Sequence, residues 1–482
     1  MTEPTGPWAT AMEIAADVAA GATSALSVTE AALARIAHDN PRLNAYTDVT
    51  ANRALAEASA VDVARRNGAP LGPLAGVPFA VKNLFDVAGL PTRAGSRINR
   101  DRAPAGADAT LVRRMNTAGA VLLGTLNMGE FAYDFTGENA HDGDCCNPHD
   151  TDRMSGGSSS GCGAATAAGL APISLGSDTN GSLRLPAALC GIFSLKPTYG
   201  RLGRGGTFPF VDSLDHLGPF ARTTRDLALS YDALQGPDPR DHACAARPIA
   251  RVLPALTQGA EGLRIGVLGG WFAANASADA RAAVMRATEV LGDVAKITPC
   301  QLDAAAAGRA AAYLITNSES AAFHLGRLRQ HADAFDPDTR DRFLAGALLP
   351  AAWIVRAQRV RRWWLEQALA AFQEADVLLA PATPCAAPHR GDKTLTLGGR
   401  VVPLRPALGL LAQPFSCIGL PVVTVPVFLP GSDPLGVQVI AAPWREELCL
   451  RVAAELEQSA TFTAKPPGTR WGCGLYSQPQ SA

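Results

Sequence analysis

The sequence lacks the features by which several large classes of protein are recognised. Its 43 basic and 44 acidic residues give a net charge of −1, so no overall electrostatic field attracts nucleic acid or an anionic membrane. Only 10 cysteines are scattered over 482 residues, a usage that favours buried thiols over a disulfide framework. We therefore expect a small, locally recognised ligand and no binding to nucleic acid.

Long uninterrupted hydrophobic runs are also missing. Residues 154–177 and 406–432 carry no charge, but the first stretch is rich in glycine and serine and the second is interrupted by prolines. Neither stretch predicts a membrane-spanning helix. The residues that follow Met1 include no basic segment leading into an apolar one, as a secretory signal would. We expect a cytoplasmic protein that does not bind membranes.

What is present is the composition of an ordinary globular protein, with 47% hydrophobic and 18% charged residues. Helical and strand-like segments alternate, as at 111–118 and 121–123, and this alternation predicts an α/β fold. The length allows two or three domains, and residues 237–258 could form a linker. The same alternation continues on both sides of that segment, so no domain boundary is secure.

Local signals predict the first elements. The first sixty or so residues favour helices, and residues 27–30 (Ser-Val-Thr-Glu) have the pattern of a capping box that opens one of them. From Leu71 onward, short apolar runs are separated by glycine and proline. Residues 76–81 predict a buried strand that ends at Lys82.

Two loops rich in glycine and serine carry the strongest chemical signal. Residues 156–169 predict a loop that runs into a helix of small residues, and residues 175–187 predict a strand, a second loop and another helix start. Backbone N–H groups at such places can stabilise a negatively charged oxygen. A serine in these loops needs a base to take its proton before it can attack a carbonyl carbon.

Histidine and lysine compete for the role of base. The histidines lie apart from any hydrolase signature, and the best placed, His216, is expected to close a turn or satisfy local hydrogen bonds. For Lys82, the ordinary lysine pKa of about 10.4 would have to fall to about 7.5, at a cost of roughly 4 kcal/mol that burial can supply. From the residues alone, the loops could still be plain turns and Lys82 an exposed lysine.

The two loops and their surroundings resemble the amidase signature family. Similar segments cover nearly the whole chain, at residues 75–83, 156–161, 178–187, 195–201 and 434–440. The resemblance implies an α/β amidase-signature fold, in which helices cover both faces of a large mixed β-sheet. It implies a single domain over residues 1–482, with N-terminal helices at about 8–66, a signature core at about 71–235 and a C-terminal part at about 260–465.

Carried over by position, the resemblance also implies the catalytic residues. Ser182 is the nucleophile, Ser158 the bridging serine that follows a cis peptide bond, and Lys82 the base that receives the proton. The remaining implied residues are the oxyanion hole of Thr179, Asn180, Gly181 and Ser182, and the supporting hydrogen-bonding residues Asp178 and Ser159. No metal and no cofactor are expected.

Segments such as 208–219 and 266–272 are similar to family members that cleave 1-carboxybiuret, a ureide of cyanuric acid degradation, with release of ammonia. A carboxylated urea derivative would be bound by an arginine, for which Arg204 and Arg405 are candidates. Tyr133 is a candidate for lining the acyl pocket. The resemblance implies a small helical partner subunit, and we expect an oligomer.

Other functions stay open. They are the glutaminase subunit of a transfer-RNA amidotransferase, an amidase of aliphatic or aryl amides, and a scaffold without turnover. The scaffold is disfavoured because Lys82, Ser158 and Ser182 are all present.

Some residues depart from the family pattern or allow a second interpretation. Asn180 stands where glycine is common. Its side chain could add a hydrogen-bond donor to the site, but we favour a conformational role because asparagine tolerates unusual backbone angles. Cys145, Cys146 and Cys162 are expected to be buried and unreactive. The basic and aromatic residues at 356–364 are interpreted as a solvated helix face backed by packed tryptophans, not as a nucleic-acid site.

Overall fold

The computed structural model describes residues 6–468 of the chain. The helices within that range are α1 Ala11–Ala20, α2 Ala25–Leu43, α3 Ala51–Arg66, α4 Thr110–Thr117, α5 Ser160–Ala167, α6 Arg184–Cys190, α7 Thr224–Leu234, α8 Trp271–Ala274, α9 Ala278–Leu291, α10 Ala305–His331, α11 Pro337–Ala347, α12 Ala351–Ala371, α13 Leu404–Leu408, α14 Gln413–Cys417 and α15 Glu446–Glu457. The strands are β1 Tyr46–Val49, β2 Pro78–Lys82, β3 Val121–Leu126, β4 Ile173–Asp178, β5 Phe193–Lys196, β6 His216–Ala221, β7 Arg264–Leu268, β8 Lys296–Cys300, β9 Val377–Pro381, β10 Thr394–Leu397, β11 Arg400–Pro403, β12 Val422–Val427 and β13 Leu435–Ala441. None of the helices described is long and apolar enough to cross a membrane.

Within the described range, eleven strands form one mixed sheet in the order β1-β3-β2-β4-β6-β5-β12-β13-β9-β7-β8, while β10 and β11 pair separately. The neighbours β3, β2 and β4 run parallel, as do β9, β7 and β8, and the strands between these groups pair antiparallel. Helices such as α6 and α15 pack against β12 and β13. The predicted α/β fold with a large mixed sheet is confirmed, whereas the single-domain organisation stays a prediction.

The centre of the sheet is buried along its whole length. Every residue of β2, β3, β4, β6, β12 and β13 is buried. Helices cover the strands, which therefore need apolar side chains on both sides instead of an alternating pattern. This explains why residues 76–81 form one apolar run. The predicted buried strand that ends at Lys82 is confirmed as β2.

The start of α2 lies earlier than the sequence predicts. Ser24 is the N-cap and its side chain accepts a hydrogen bond from the backbone N–H of Ser27. The carboxylate of Asp62 accepts the N–H groups of Ala25 and Leu26, at 2.9 and 3.0 Å. With these donors satisfied, the helix begins at Ala25. The predicted capping box at residues 27–30 is wrong, because those residues already lie inside the helix.

The basic and aromatic segment at 356–364 lies in α12 and matches its prediction only in part. Trp364 is fully buried and its indole N–H donates to the carbonyl of Pro414 at 2.7 Å. Arg356 and Arg359 are exposed, as expected for a solvated face. Trp363 is 45% exposed, so only Trp364 of the two tryptophans packs into the protein interior behind this helix face.

Gly218 in β6 lies so close to the backbone of β5 that only glycine fits at this position. A Cβ atom on Gly218 would lie 2.0 Å from the carbonyl oxygen of Leu195, which is backbone and cannot move aside cheaply. We expect Gly218→Ala to lower the free energy of unfolding by about 1–3 kcal/mol or more, measured by urea denaturation. Gly106→Ala is the control, because Gly106 is exposed and its Cβ would meet open space. Equal unfolding midpoints for the two variants would contradict the prediction.

Candidate active site

Lys82 ends β2 with its side chain fully buried. Its Nζ donates to Ser158 Oγ at 2.7 Å and to Ser177 Oγ at 2.9 Å. Burial lowers the pKa of Lys82 to about 7, because desolvation outweighs the opposing influence of nearby acidic groups. The amine is therefore substantially neutral at neutral pH and can accept a proton. Ser177 was not among the residues predicted to contact this lysine.

The serine that contacts Lys82 lies in a tightly enclosed turn. The peptide bond between Gly157 and Ser158 is cis, as the family resemblance implied. The carbonyl of Ser158 accepts a hydrogen bond from the N–H of Gly129 at 3.2 Å. A Cβ atom on Gly157 would lie 2.5 Å from Asp134 Oδ2, so no larger residue fits there without a shift.

Ser159 ties this turn to the neighbouring strand. Its hydroxyl donates to the carbonyl of Ser177 at 3.1 Å and accepts the N–H of Ser177 at 3.3 Å. Ser177 and Asp178 are the last two residues of β4, after which the chain enters the Ser182 loop. The supporting position predicted for Ser159 thus links the two serine loops through the end of one strand.

Asp178 shapes the loop that carries Ser182. One carboxylate oxygen accepts the N–H of Gly181 at 2.7 Å, and the other accepts the N–H of Leu183 at 3.2 Å. Ser182 lies between these two amides and is buried. The N–H of Gly181, one of the four donors predicted for the oxyanion hole, is therefore already engaged by a carboxylate.

A fully buried ion pair holds Asp178 in place. Arg184 Nε and Nη2 donate to its two oxygens at 3.0 and 3.1 Å, and Arg184 Nη1 donates to Gln438 Oε1 at 2.7 Å. Burial raises the pKa of Asp178, but the charge and hydrogen bonds of Arg184 outweigh it, so the pKa lies well below its usual range. Arg184 was not among the predicted site residues, although a charged residue within an otherwise uncharged segment is a signal for such a pair.

Helix α10 packs over the same loop. Asn180 Nδ2 donates to Thr316 Oγ1 at 2.9 Å, and the hydroxyl of Tyr133 is hydrogen-bonded to the side chain of Asn317. Asn180 is not among the residues with positive φ. The conformational role predicted for Asn180 is therefore wrong, because its side chain instead joins the loop to α10.

His216 faces the same region without taking part in the lysine–serine contacts. Its Nδ1 lies 2.6 Å from the carbonyl of Leu214 and 3.0 Å from that of Asp178. Burial, aided by the charge of Lys196, holds the pKa of His216 well below its ordinary value, so the ring is neutral. These contacts agree with the predicted structural role of this histidine.

The two arginines predicted for a substrate carboxylate already have protein carboxylates as partners. Arg204 pairs with Asp241 at 2.8 Å. Arg405 pairs with the side chains of Asp134, Glu138 and Asp338, at distances of 2.7, 2.6 and 2.8 Å. Their charges are thus matched within the protein, and the geometry does not favour either one as a substrate ligand.

The cysteines near the serine loops are buried. Burial raises the pKa of Cys162 to about 12, and it raises the pKa of Cys145 and Cys146 as well. All three are therefore protonated at neutral pH, in agreement with the predicted unreactive thiols. Over residues 6–468 there is no group of three or more histidine, cysteine or acidic side chains that could hold a metal ion.

The Asp178–Arg184 pair generates a stability prediction. Replacing Arg184 by leucine would leave the buried carboxylate without its counter-charge, so we expect the free energy of unfolding to fall by about 3–5 kcal/mol. The measurement is denaturant unfolding followed by circular dichroism. Arg264→Leu is the matched control: its pair with Asp376, at 2.9 Å, is substantially exposed and solvent screens it, so its loss should lower the free energy of unfolding far less than the loss of the buried pair. Similar losses in both variants would show that burial of the pair is unimportant.

Known proteins resemble this chain along most of its length. A model of the amidase family matches residues 27–450. The chain is 54% identical over 459 residues to AtzE, which is part of the 1-carboxybiuret hydrolase of Pseudomonas sp. (strain ADP), with 94% of this chain and 99% of the relative covered. It is 37% identical to a glutamyl-tRNA(Gln) amidotransferase subunit of Roseiflexus castenholzii (strain DSM 13941 / HLO8), with 94% and 96% of the two chains covered.

Solved structures of amidase signature enzymes and related chains also superpose on this chain. One chain comes from a vestigial protein complex that is described as revealing the evolutionary origins of an s-triazine catabolic enzyme. It superposes with a TM-score of 0.93 at 53% identity and covers 95% of this chain and 100% of its own. A bacterial aryl acylamidase of the amidase signature enzymes superposes with a TM-score of 0.88 at 26% identity, covering 95% and 97%. The chain therefore belongs to the amidase signature family.

Proposed function

We propose that this protein hydrolyses a C–N bond of a small carboxylated ureide, 1-carboxybiuret or a close relative, and releases ammonia through an acyl-enzyme on Ser182. The observation that carries the proposal is the buried Lys82 bonded to Ser158, next to the Ser182 loop. The 54% identity to part of a 1-carboxybiuret hydrolase supports the choice of substrate. The main alternative is a transfer-RNA amidotransferase subunit, to one of which this chain is 37% identical.

The proposed reaction begins with two proton transfers. Neutral Lys82 takes the proton of Ser158, and Ser158 takes that of Ser182, whose oxygen attacks the carbonyl carbon of the substrate. Lys82 then holds the proton that the departing ammonia needs. Water, deprotonated along the same path, hydrolyses the acyl-enzyme and restores Ser182.

The negative charge on the tetrahedral intermediate needs backbone donors. We assign this role to the N–H groups of Thr179, Asn180 and Ser182, with that of Gly181 shared with the Asp178 carboxylate. Because Asp178 is fixed by Arg184, the loop is preorganised before substrate arrives. The intermediate then forms without a costly rearrangement of the loop.

An oligomeric assembly with a small helical partner protein belongs to the same proposal. The similar solved chain is described as part of a protein complex, which supports a partner for this chain as well. A cytoplasmic location stays a prediction from the sequence.

The nucleophile is tested by replacing Ser182 with alanine. We expect ammonia release from 1-carboxybiuret to fall by at least about 10⁴-fold with no change in the unfolding midpoint, since only the attacking oxygen is lost. Ser194→Ala is the control, because Ser194 is also buried but its hydroxyl has no hydrogen-bond partner among residues 6–468. Substantial turnover by the Ser182 variant would rule out this serine.

The substrate class is tested with the unaltered protein. Ammonia release is measured with 1-carboxybiuret, biuret, glutamine and a simple aliphatic amide, with and without the co-expressed small partner. We expect the highest kcat/KM for 1-carboxybiuret. A preference for glutamine would instead favour the amidotransferase alternative.

The pKa of Lys82 predicts a pH profile. Since protonated Lys82 cannot accept a proton, kcat/KM should be half-maximal near pH 7 and should fall about tenfold per pH unit below it. At higher pH the amine is neutral and the rate should level off. A rate that stayed constant between pH 5 and 8 would exclude Lys82 as the base.

A further inference from the structure

One face of α10 lies along the active site. Its residues Thr316 and Asn317 are bonded to Asn180 and to Tyr133, respectively. Arg309 precedes Thr316 by seven residues, or two helical turns, and therefore lies on the same face of the helix. The spacing corresponds to about 10 Å along the helix axis.

Arg309 also contacts the chain behind the nucleophile loop. Its Nε donates to Gln413 Oε1 at 3.1 Å. Gln413 directly follows Ala412, whose methyl group would lie 2.8 Å from a Cβ atom placed on Gly181. Arg309 is therefore bonded to the neighbour of a residue that packs against the loop carrying Ser182.

Within the described part of the chain, the charge of Arg309 is not matched by an acidic side chain. Its two hydrogen bonds go to the neutral side chain of Gln413 and, from Nη2, to the carbonyl of Pro406 at 3.1 Å. It has no carboxylate partner among the residues that the structure describes. Desolvation lowers the pKa of Arg309, as expected for a half-buried cation that no acid compensates.

This contrasts with the neighbouring Arg405, which three carboxylates surround. Placing an unpaired guanidinium in a half-buried position is unfavourable unless an anion joins it during function. Two of the five N–H groups of Arg309 are used by neutral acceptors, and the others have no acceptor among residues 6–468. They are available for a planar, bidentate anion.

We infer that Arg309 binds the carboxylate of the substrate and so determines the specificity of the site for acidic ureides. The inference rests on the proposed function, because it supplies the anion-binding residue that this substrate requires. The carboxylate at one end of a short ureide contacts Arg309, while the scissile carbonyl at the other end lies against Ser182. Arg309 takes over the role that Arg204 and Arg405, both occupied by protein carboxylates, were expected to fill.

The inference is tested by steady-state kinetics on full-length Arg309→Gln and Arg309→Lys. For 1-carboxybiuret we expect the glutamine variant to raise KM by roughly 10- to 100-fold, the loss of one charged hydrogen-bonded contact, and to leave kcat within about threefold. The inhibition constant of malonate, a small competing carboxylate, should rise by a similar factor. Arg309→Lys keeps the charge but not the bidentate geometry, and should give intermediate values.

Arg359→Gln is the matched control, since Arg359 is an exposed arginine on α12. It should leave KM, kcat and malonate inhibition unchanged. A retained kcat in Arg309→Gln shows that the variant is folded and that proton transfer from Ser182 through Ser158 to Lys82 still works. Unchanged KM or unchanged malonate inhibition in this variant overturns the inference, and so does a loss confined to kcat. If the unaltered protein releases no ammonia from 1-carboxybiuret, the proposed function fails and the inference fails with it.

Discussion

The site depends on a charge that is kept inside the protein. Asp178 is an ionised carboxylate in the core, and it holds the Ser182 loop by accepting hydrogen bonds from the backbone amides on both sides of Ser182. This is possible only because Arg184, itself fully buried, supplies the opposite charge and two hydrogen bonds. Without the arginine, desolvation would favour the protonated carboxyl, which could not accept both amides equally well.

Lys82 is buried as completely as Asp178, but at this lysine burial favours the neutral form instead of the charged one. It contacts hydroxyl groups instead of a carboxylate, so the more distant acidic groups offset only part of the desolvation and the neutral amine becomes accessible near neutral pH. Two ionisable groups in one core therefore differ in their use: Asp178, which has an ion-pair partner, fixes the backbone, and Lys82, which contacts no carboxylate, is the group proposed to carry protons. Arg309 is a third case, a partly exposed cation whose missing counter-ion the substrate is proposed to provide.

Much of this arrangement was accessible from the sequence, for identifiable reasons. The strand ending at Lys82 could be predicted because a strand covered on both faces needs a continuous apolar run, and the serine loops carry a specific family pattern. The contacts of Ser177 depend on which strands are neighbours, which local pattern does not reveal. The carboxylates that occupy Arg405 come from segments more than sixty residues away, so their proximity could not be read from the chain.

The parallel pairing of β2 with β4 has a consequence for how the active centre is assembled. Val81 lies opposite Leu175, so the ends of these two strands meet although more than ninety residues separate them. Contacts between distant segments form late, because the intervening chain must first lose its freedom. While the protein is being synthesised, Lys82 is therefore made well before the serines that it contacts, and its side chain stays an ordinary hydrated amine until the sheet closes over it.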